Sequence, residues 1–365
     1  MGNSDGSPDS IQNTLRARFM GTMILGTLSI GSVLSGCSGS IIPQALTSYE
    51  VQTADLQDNG YPNSGAPRQS TFASFTFQTD ADSITVTGTT TLYNLSPNYA
   101  QIGLRVDGVD KKPLAFTANN QQTFEVHLGT AGTLRTIVLR SGVQSNPSGV
   151  TLGSFIDAVA YPIASHFVIV VPTVGIRNLL YGDSITEGDN AQYPTNEAYA
   201  VLLRDVYGLR VMVEGWGYRS LYYDAATIAT QDNLTTRFAS YSPASILILI
   251  GTNDYGLDLW DAKDFGNAYA SMLDKLHAAL PETKVVCVTP IPRASEVANI
   301  FGDTLSDYRS QIGSAAASRL WVTLVDGTTI LSIADLSADG IHPTTAGQAK
   351  LAATLAPYLL PTIAK

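Results

Sequence analysis

Over residues 71–173 apolar and polar positions alternate in short runs. Phe75 and Phe77 stand two apart in TFASFTFQT. Ile102, Leu104 and Val106 alternate in QIGLRVDG and stop at Asp-Gly, and Phe124, Val126 and Leu128 alternate in QTFEVHL. Between the first two lies SITVTGTTTLYNL, rich in β-branched residues. A period of two, broken at regular intervals by turn residues, predicts short strands buried on one face. Many such strands in one segment predict an all-β sandwich, with a jelly-roll-like path as the expected version.

From residue 174 onward the period changes. NLLYGD, LRVMVEG, SILILIG, KVVCVTP and WVTLVDG are continuous apolar runs ending in or beside turn residues. NEAYAVLLRDVYG and AKDFGNAYASMLDKLHAAL lie between them and read as helices. Strands without alternation are buried on both faces, so the pattern predicts a parallel α/β sheet of about five strands with helices on each side. In such sheets ligands meet the chain beyond the carboxyl ends of the strands.

The N-terminal pattern differs from both. Arg16 and Arg18 precede FMGTMILGTLSIGSVLSGC, a charged region followed by an apolar one, as in a secretory signal peptide. Its end, Leu34-Ser35-Gly36-Cys37, resembles the lipobox of bacterial lipoproteins. That resemblance implies cleavage before Cys37 and lipidation of its thiol, with membrane attachment only through that anchor. The expected location is the bacterial cell envelope, at the outer membrane or cell surface; the alternative is a secreted or periplasmic protein. Residues 38–70 are polar, with Pro, Gly, Asn and Gln, and read as a tether. The expected organisation is therefore 1–37 signal peptide and lipobox, 38–70 tether, 71–173 β-sandwich and 174–365 α/β domain.

Composition narrows the function. A chain of 365 residues is long enough for two cores. A net charge of -10 excludes a nucleic-acid partner, which needs a basic surface. Cys37 and Cys287 are too few for a disulfide framework, and Cys287, in an apolar strand, reads as an inert buried thiol. No pair of Cys or His residues has ligand spacing, so no metal is expected.

Ser184 follows the first apolar strand in LLYGDSITEG. A serine hydroxyl becomes a nucleophile only with a base in hydrogen-bond reach. His127 falls in a predicted strand, His166 near the domain junction and His277 on a predicted helix. His342 alone lies in a polar loop, ADGIHPTTAG, with Asp339 three residues before it. In a turn, that spacing puts both side chains on one side, where the carboxylate would orient the imidazole. Acyl transfer also needs donors for an oxyanion. Asn253 in GTNDYG offers a side-chain amide, Ser184 its own N–H, and VEGWGYRS the N–H of Gly217 or, with a one-residue shift, of Tyr218.

GDSITEG, GWGYRS, GTND and DGIHP, in this order, resemble the blocks of the SGNH hydrolase family, also called GDSL esterases and lipases. The likeness runs from about Arg177 to the end of the chain. It implies a three-layer α/β/α, flavodoxin-like domain and a serine esterase without cofactor. By that resemblance Ser184 is the nucleophile, His342 the base and Asp339 its orienter, with Ser184, Gly217 and Asn253 forming the oxyanion hole. The second block departs from the family, because Val213, Glu214 or Gly215 stands where an Asn is usual, so Tyr218 remains the alternative to Gly217. The G-x-S-x-G elbow of another hydrolase class is absent, since residue 186 is Thr.

A β-sandwich ahead of such a domain resembles two-domain carbohydrate esterases that remove acetyl groups from plant polysaccharides. This implies an O-acetylated carbohydrate substrate, as for an acetylxylan esterase. Trp216, Tyr218 and Tyr255 are the aromatics expected to stack on it, unless they pack in a core. A short-chain lipase, lysophospholipase or thioesterase is the alternative within the family. An alternative of another class is a glycan-binding surface lipoprotein with a vestigial esterase domain. Local readings compete too: Ser184 as a helix N-cap with Glu187 as partner, Asp183 as a structural residue beneath the site, and Asp254 as a loop support.

Overall fold

The alternating segments form two antiparallel sheets. A computed structural model describes residues 45–52, 56–57, 71–92, 99–142, 144–145, 152–170, 178–226 and 229–359. One sheet runs in the order β1 (Leu46–Glu50), β10 (Leu152–Pro162), β4 (Ser83–Thr90) and β7 (Gln121–His127), with β9 (Gln144–Ser145) paired to β10. The other runs β11 (Phe167–Ile169), β3 (Ser74–Thr79), β8 (Arg135–Arg140), β5 (Gln101–Val106) and β6 (Val109–Ala115), with β2 (Leu56–Gln57) paired to β3. Through described residues the chain crosses between sheets from β3 to β4, β6 to β7, β7 to β8 and β10 to β11. Phe75, Phe77, Ile84, Val86, Ile102, Leu104, Ile137 and Leu139 fill the space between the sheets. Asp-Gly turns β5 into β6 with both residues at positive φ, 50° at Asp107 and 77° at Gly108. That is the two-residue hairpin geometry matched to strand twist.

The tether expectation for 38–70 is corrected in part. Leu46–Glu50 pairs with β10 from Leu46↔Pro162 to Glu50↔Ala158, and Leu56 pairs with Phe75. The eleven-residue β10 would otherwise present a long open edge. Tyr49 also stacks on Phe75 with ring centroids 5.9 Å apart. Residues 1–37, including Cys37, and the boundary at 173 and 174 lie outside the described residues. Among those described, no helix is long and apolar enough to cross a membrane.

All five continuous apolar runs supply strands of one parallel sheet. They are β12 (Asn178–Gly182), β13 (Val211–Gly215), β14 (Ser245–Leu249), β15 (Lys284–Val288) and β16 (Val322–Val325), in the order β13-β12-β14-β15-β16. Successive residues face opposite sides. Leu180, Leu247, Leu249 and Val286 meet the helices α2 (Tyr199–Asp205) and α8 (Thr345–Leu355). Leu179, Tyr181, Ile246, Ile248, Val285 and Cys287 meet α4 (Ala229–Tyr241), α6 (Ala262–Ala279) and α7 (Leu305–Ala317). The result is a three-layer α/β/α fold. Burial pushes the Cys287 thiol up to about 12, which keeps it protonated and inert.

The helix expected over NEAYAVLLRDVYG is broken. α1 (Pro194–Glu197) stops at Ala198, whose ψ of 141° is not helical, and α2 begins at the next residue. Two polar side chains of α1 are committed to the sandwich. Thr195 Oγ1 donates to Gln101 Oε1 at 3.0 Å and Asn196 Nδ2 to the Lys111 carbonyl at 2.9 Å.

The two parts belong to one compact unit, Gln44–Lys365. Arg140 at the end of β8 is fully buried where they meet. Its Nη1 reaches Asn196 Oδ1 at 3.0 Å and Asp110 Oδ1 at 3.2 Å, and its Nη2 pairs with Asp205. Arg105 also pairs with Asp205, at 3.1 Å. Burial lowers the Arg140 pKa to about 10, and Asp205 and Asp110 oppose that fall, so it stays charged at neutral pH. Removing one member of a buried ionic set strands the others. Arg140→Ala is expected to cost about 3–5 kcal/mol of stability, read as a lower urea midpoint. An unchanged midpoint would show that the set does not hold the two parts together.

Candidate active site

The turn after β12 descends onto glycine. Gly182 ends β12 and is in register with Gly215, which ends β13. A Cβ on Gly182 would stand 1.9 Å from Thr186 Oγ1, and one on Gly215 3.2 Å from Thr186 Cβ. The end of β12 must therefore lack a side chain for Thr186 to pack there, and a side chain at the end of β13 would crowd it. Thr186 is fully buried and its hydroxyl meets Tyr199 Oη at 2.9 Å. Asp183 fastens the turn from within, because its Oδ1 accepts from Ile185 N at 2.9 Å and its carbonyl from Thr186 N at 3.0 Å. Asp183 thus has the structural place expected of it. The Ser184 side chain makes no capping bond.

Ser184 Oγ instead lies 2.8 Å from His342 Nε2. On the other side of the ring, His342 Nδ1 lies 2.6 Å from Asp339 Oδ2. A carboxylate at Nδ1 makes that nitrogen the donor and leaves Nε2 to accept from the serine O–H. Asp339 is itself held by several donors. Its Oδ1 accepts from Ser337 Oγ at 2.8 Å, Ile341 N at 2.8 Å and His342 N at 3.0 Å. Its Oδ2 also accepts from Asn190 Nδ2, at 2.6 Å. Partial burial acts against ionisation, but the His342 bond and these N–H and O–H donors outweigh it and hold the carboxyl well below its ordinary range. Asn190 sits at φ 63° and was not singled out by the sequence, where it is one polar residue among many in a turn.

Asn253 lies in α5 (Thr252–Gly256), directly after β14. One amide hydrogen goes to the Arg219 carbonyl at 2.9 Å, which ties it to the turn after β13 and leaves the second N–H uncommitted. Asp254 supports the same junction. Its Oδ1 accepts from Tyr222 N at 2.9 Å and Trp260 Nε1 at 3.1 Å, and its Oδ2 from Leu221 N at 3.2 Å, at the start of α3 (Leu221–Ala226). Burial raises Asp254 to about 7 despite these N–H donors.

The Gly217 N–H is directed toward the buried Glu187 side chain. The Arg219 N–H returns to the Trp216 carbonyl at 3.2 Å. Tyr218 lies between them at φ 60°, and its N–H makes no hydrogen bond among the described residues. The Ser184 N–H likewise has no acceptor there. Among the described residues, the N–H groups of Ser184 and Tyr218 and the second amide hydrogen of Asn253 have no acceptor at the strand ends, while the Gly217 N–H points toward Glu187.

The aromatics divide. Tyr218 is 73% exposed, an unusual placement for a bulky residue at positive φ. Trp216 is partly buried beneath the Arg219 guanidinium, 3.5 Å from its ring centroid. Tyr255, expected to contact substrate, is instead buried, and its hydroxyl donates to the Val297 carbonyl at 2.6 Å. Arg219, missed in the sequence, is fully buried between the rings of Trp216 and Tyr181, and its Nη1 donates to the Glu214 carbonyl at 2.8 Å.

Ser184 and Asn253 follow β12 and β14, the two strands between which the doubly wound order reverses. That switch point is where such sheets bind ligands. A nucleophile, a base with its orienter and three free donors can there perform acyl transfer.

Residues 180–350 match the GDSL-like Lipase/Acylhydrolase family. A search of curated protein sequences gives no match. Solved structures share the fold across the sandwich and the α/β part together. The salicylyl-acyltransferase SsfX3 from a tetracycline biosynthetic pathway is 17% identical, with TM-score 0.62, covering 86% of this chain and 94% of that one. A family two carbohydrate esterase from Clostridium thermocellum, in complex with cellohexaose, is 16% identical, with TM-score 0.62, covering 86% and 100%. The acetyl xylan esterase Est2A from the rumen bacterium Butyrivibrio proteoclasticus is 13% identical, with TM-score 0.60, covering 86% and 97%.

Burial also raises Asp183, from 3.8 to about 6, against the pull of the Ile185 N–H. A carboxyl with a folded pKa above its unfolded one binds more protons when folded, so its contribution falls as pH rises between the two values. Asp183→Asn keeps the oxygen that accepts from Ile185 and removes the titration. The decline in the wild-type urea midpoint between pH 4 and pH 6 should be smaller in this variant. Equal declines in both proteins would contradict the assignment.

Proposed function

We propose, starting from the GDSL-like lipase/acylhydrolase domain that spans residues 180–350, that this chain is a serine esterase that deacetylates O-acetylated carbohydrate. The observation that carries the reading is the continuous hydrogen-bonded line from Ser184 Oγ through His342 to Asp339. His342 Nε2 takes the serine proton as Oγ attacks the ester carbonyl. Asp339 keeps Nδ1 as the donor and stabilises the imidazolium that forms. The N–H groups of Ser184 and Tyr218 and the Asn253 amide receive the oxyanion. His342 then protonates the leaving alcohol, and water, deprotonated in turn by His342, cleaves the acetyl-enzyme.

The carbohydrate part rests on two supports. The structures with the same two-part fold include esterases that act on carbohydrate, and Tyr218 presents an exposed ring beside the free donors. A second reading, an esterase for longer acyl chains, is favoured by a different feature. Val297, Ile300 and Phe301 are exposed on the loop that Tyr255 anchors. The two readings differ in the ester they predict.

Wild type is expected to release acetate from acetylated xylan and to favour acetyl over octanoyl esters of p-nitrophenol. Ser184→Ala should abolish both activities, and Asn253→Ala should lower kcat by about 10²–10³. A preference for octanoyl esters would support the longer-chain reading. Xylan binding without hydrolysis would leave a glycan-binding protein with an inactive esterase domain.

We also infer that Cys37 is lipidated after removal of the first 36 residues, which would fix the enzyme to the cell envelope of a bacterium. Expression with radiolabelled palmitate should label the wild type and leave Cys37→Ala unlabelled. Label in both would end this inference.

A further inference from the structure

Arg219 is buried, yet its main chain touches Asn253. Its guanidinium is held from several elements at once. Cζ lies 3.5 Å from the Trp216 ring centroid and 4.2 Å from that of Tyr181, the residue before Gly182 in β12. Nε donates to Asp224 Oδ2 of α3 at 2.8 Å, and Nη1 donates to the Glu214 carbonyl of β13 at 2.8 Å. The Tyr181 hydroxyl also donates to Asp224. Burial opposes the guanidinium charge, but Asp224, Tyr181 and Glu214 outweigh it and raise the pKa above the ordinary arginine value.

The Arg219 carbonyl is fixed from both sides. Before it, the Arg219 N–H returns to the Trp216 carbonyl at 3.2 Å and closes the turn. After it, Ser220 is fully buried, and Asp254 holds the N–H groups of Leu221 and Tyr222. This carbonyl in turn orients the Asn253 amide. The last torsion of an asparagine side chain is broad and roughly two-fold, so it needs a partner to fix its plane and its ends. A carbonyl only accepts, so it selects the NH2 end. At 2.9 Å it takes one N–H, and the planarity of the amide then sets the direction of the other.

We propose that the Arg219 side chain positions the oxyanion hole: caged by Trp216, Tyr181, Asp224 and Glu214, it holds the carbonyl that aims Asn253. This rests on the reading of Asn253 as an oxyanion donor. The guanidinium bonds to neither Ser184 nor His342, so it acts through Asn253. Trp216, expected to stack on a sugar, gives a ring to the cage. Lysine is no substitute here. It keeps the charge but has no plane to lie against the rings and no fork to reach Asp224 and Glu214 together.

The test is a double-mutant cycle in the full chain on p-nitrophenyl acetate, with folding followed by the urea midpoint. Arg219→Lys is expected to lower kcat about tenfold with KM nearly unchanged, the mark of an interaction made only in the transition state. In the Asn253→Ala background the same substitution should change kcat by less than about twofold, because the amide it aims is gone. An equal loss in both backgrounds, or no loss in the wild type, overturns the proposal. If Arg219→Lys does not fold, Asp224→Asn takes its place in the cycle. It weakens the cage from α3, keeps an acceptor oxygen for Nε, and is judged by the same outcomes. Asn253→Ala with wild-type kcat, or a wild type inactive on this ester, would instead overturn the oxyanion reading on which the positioning rests.

Discussion

The contact of Thr186 with the bare ends of β12 and β13 is the constraint from which the site follows. A parallel sheet puts all its carboxyl ends on one side, but nearness alone does not bring a backbone turn down onto them. Gly182 and Gly215, paired in register, leave a gap that the Thr186 side chain fills. The chain from Asp183 to Asp189 then curls tightly enough for Ser184 to face His342, with Asp189 and Asn190 one turn later. Asn190 returns to Asp339 and so links the two ends of the α/β domain, residues 149 apart in sequence. A side chain on Gly182 would lift the turn and break this line at its start.

The donors depend on a second tie between strand ends. Asp254 gathers the N–H groups of Leu221 and Tyr222, while Asn253 beside it grips the Arg219 carbonyl. The turn after β13 and the turn after β14 therefore hold each other. Within that frame the Gly217 N–H points toward Glu187, and the positive φ of Tyr218 turns its ring outward. An aromatic residue adopts that conformation only where the surroundings impose it.

The sandwich is bound to the α/β part by more than proximity. Arg140 and Arg105 converge on Asp205 of α2, and Asn196 and Thr195 of α1 bond back to β6 and β5. These bonds explain why the helix predicted from NEAYAVLLRDVYG splits at Ala198. Its apolar period is helical, and the commitments of Thr195 and Asn196 to another layer are invisible in that period. Similarly, LTSYE in β1 has no run of alternation long enough to stand out from a polar segment. It becomes a strand because β10 offers it an edge.

By itself the sequence determined the change of period near residue 174, the five buried parallel strands, the alternating strands before them, and the residue types Ser184, Asn253, Asp339 and His342 at or beyond strand ends. These are properties of local pattern, and burial on one face or two writes them directly into the chain. The tertiary structure alone decided that Tyr255 is buried and that Asn190 and Asp254 brace the site. Each of these depends on partners brought together from distant segments. Asn190 reaches Asp339 across 149 residues of sequence, and no spacing along the chain records that.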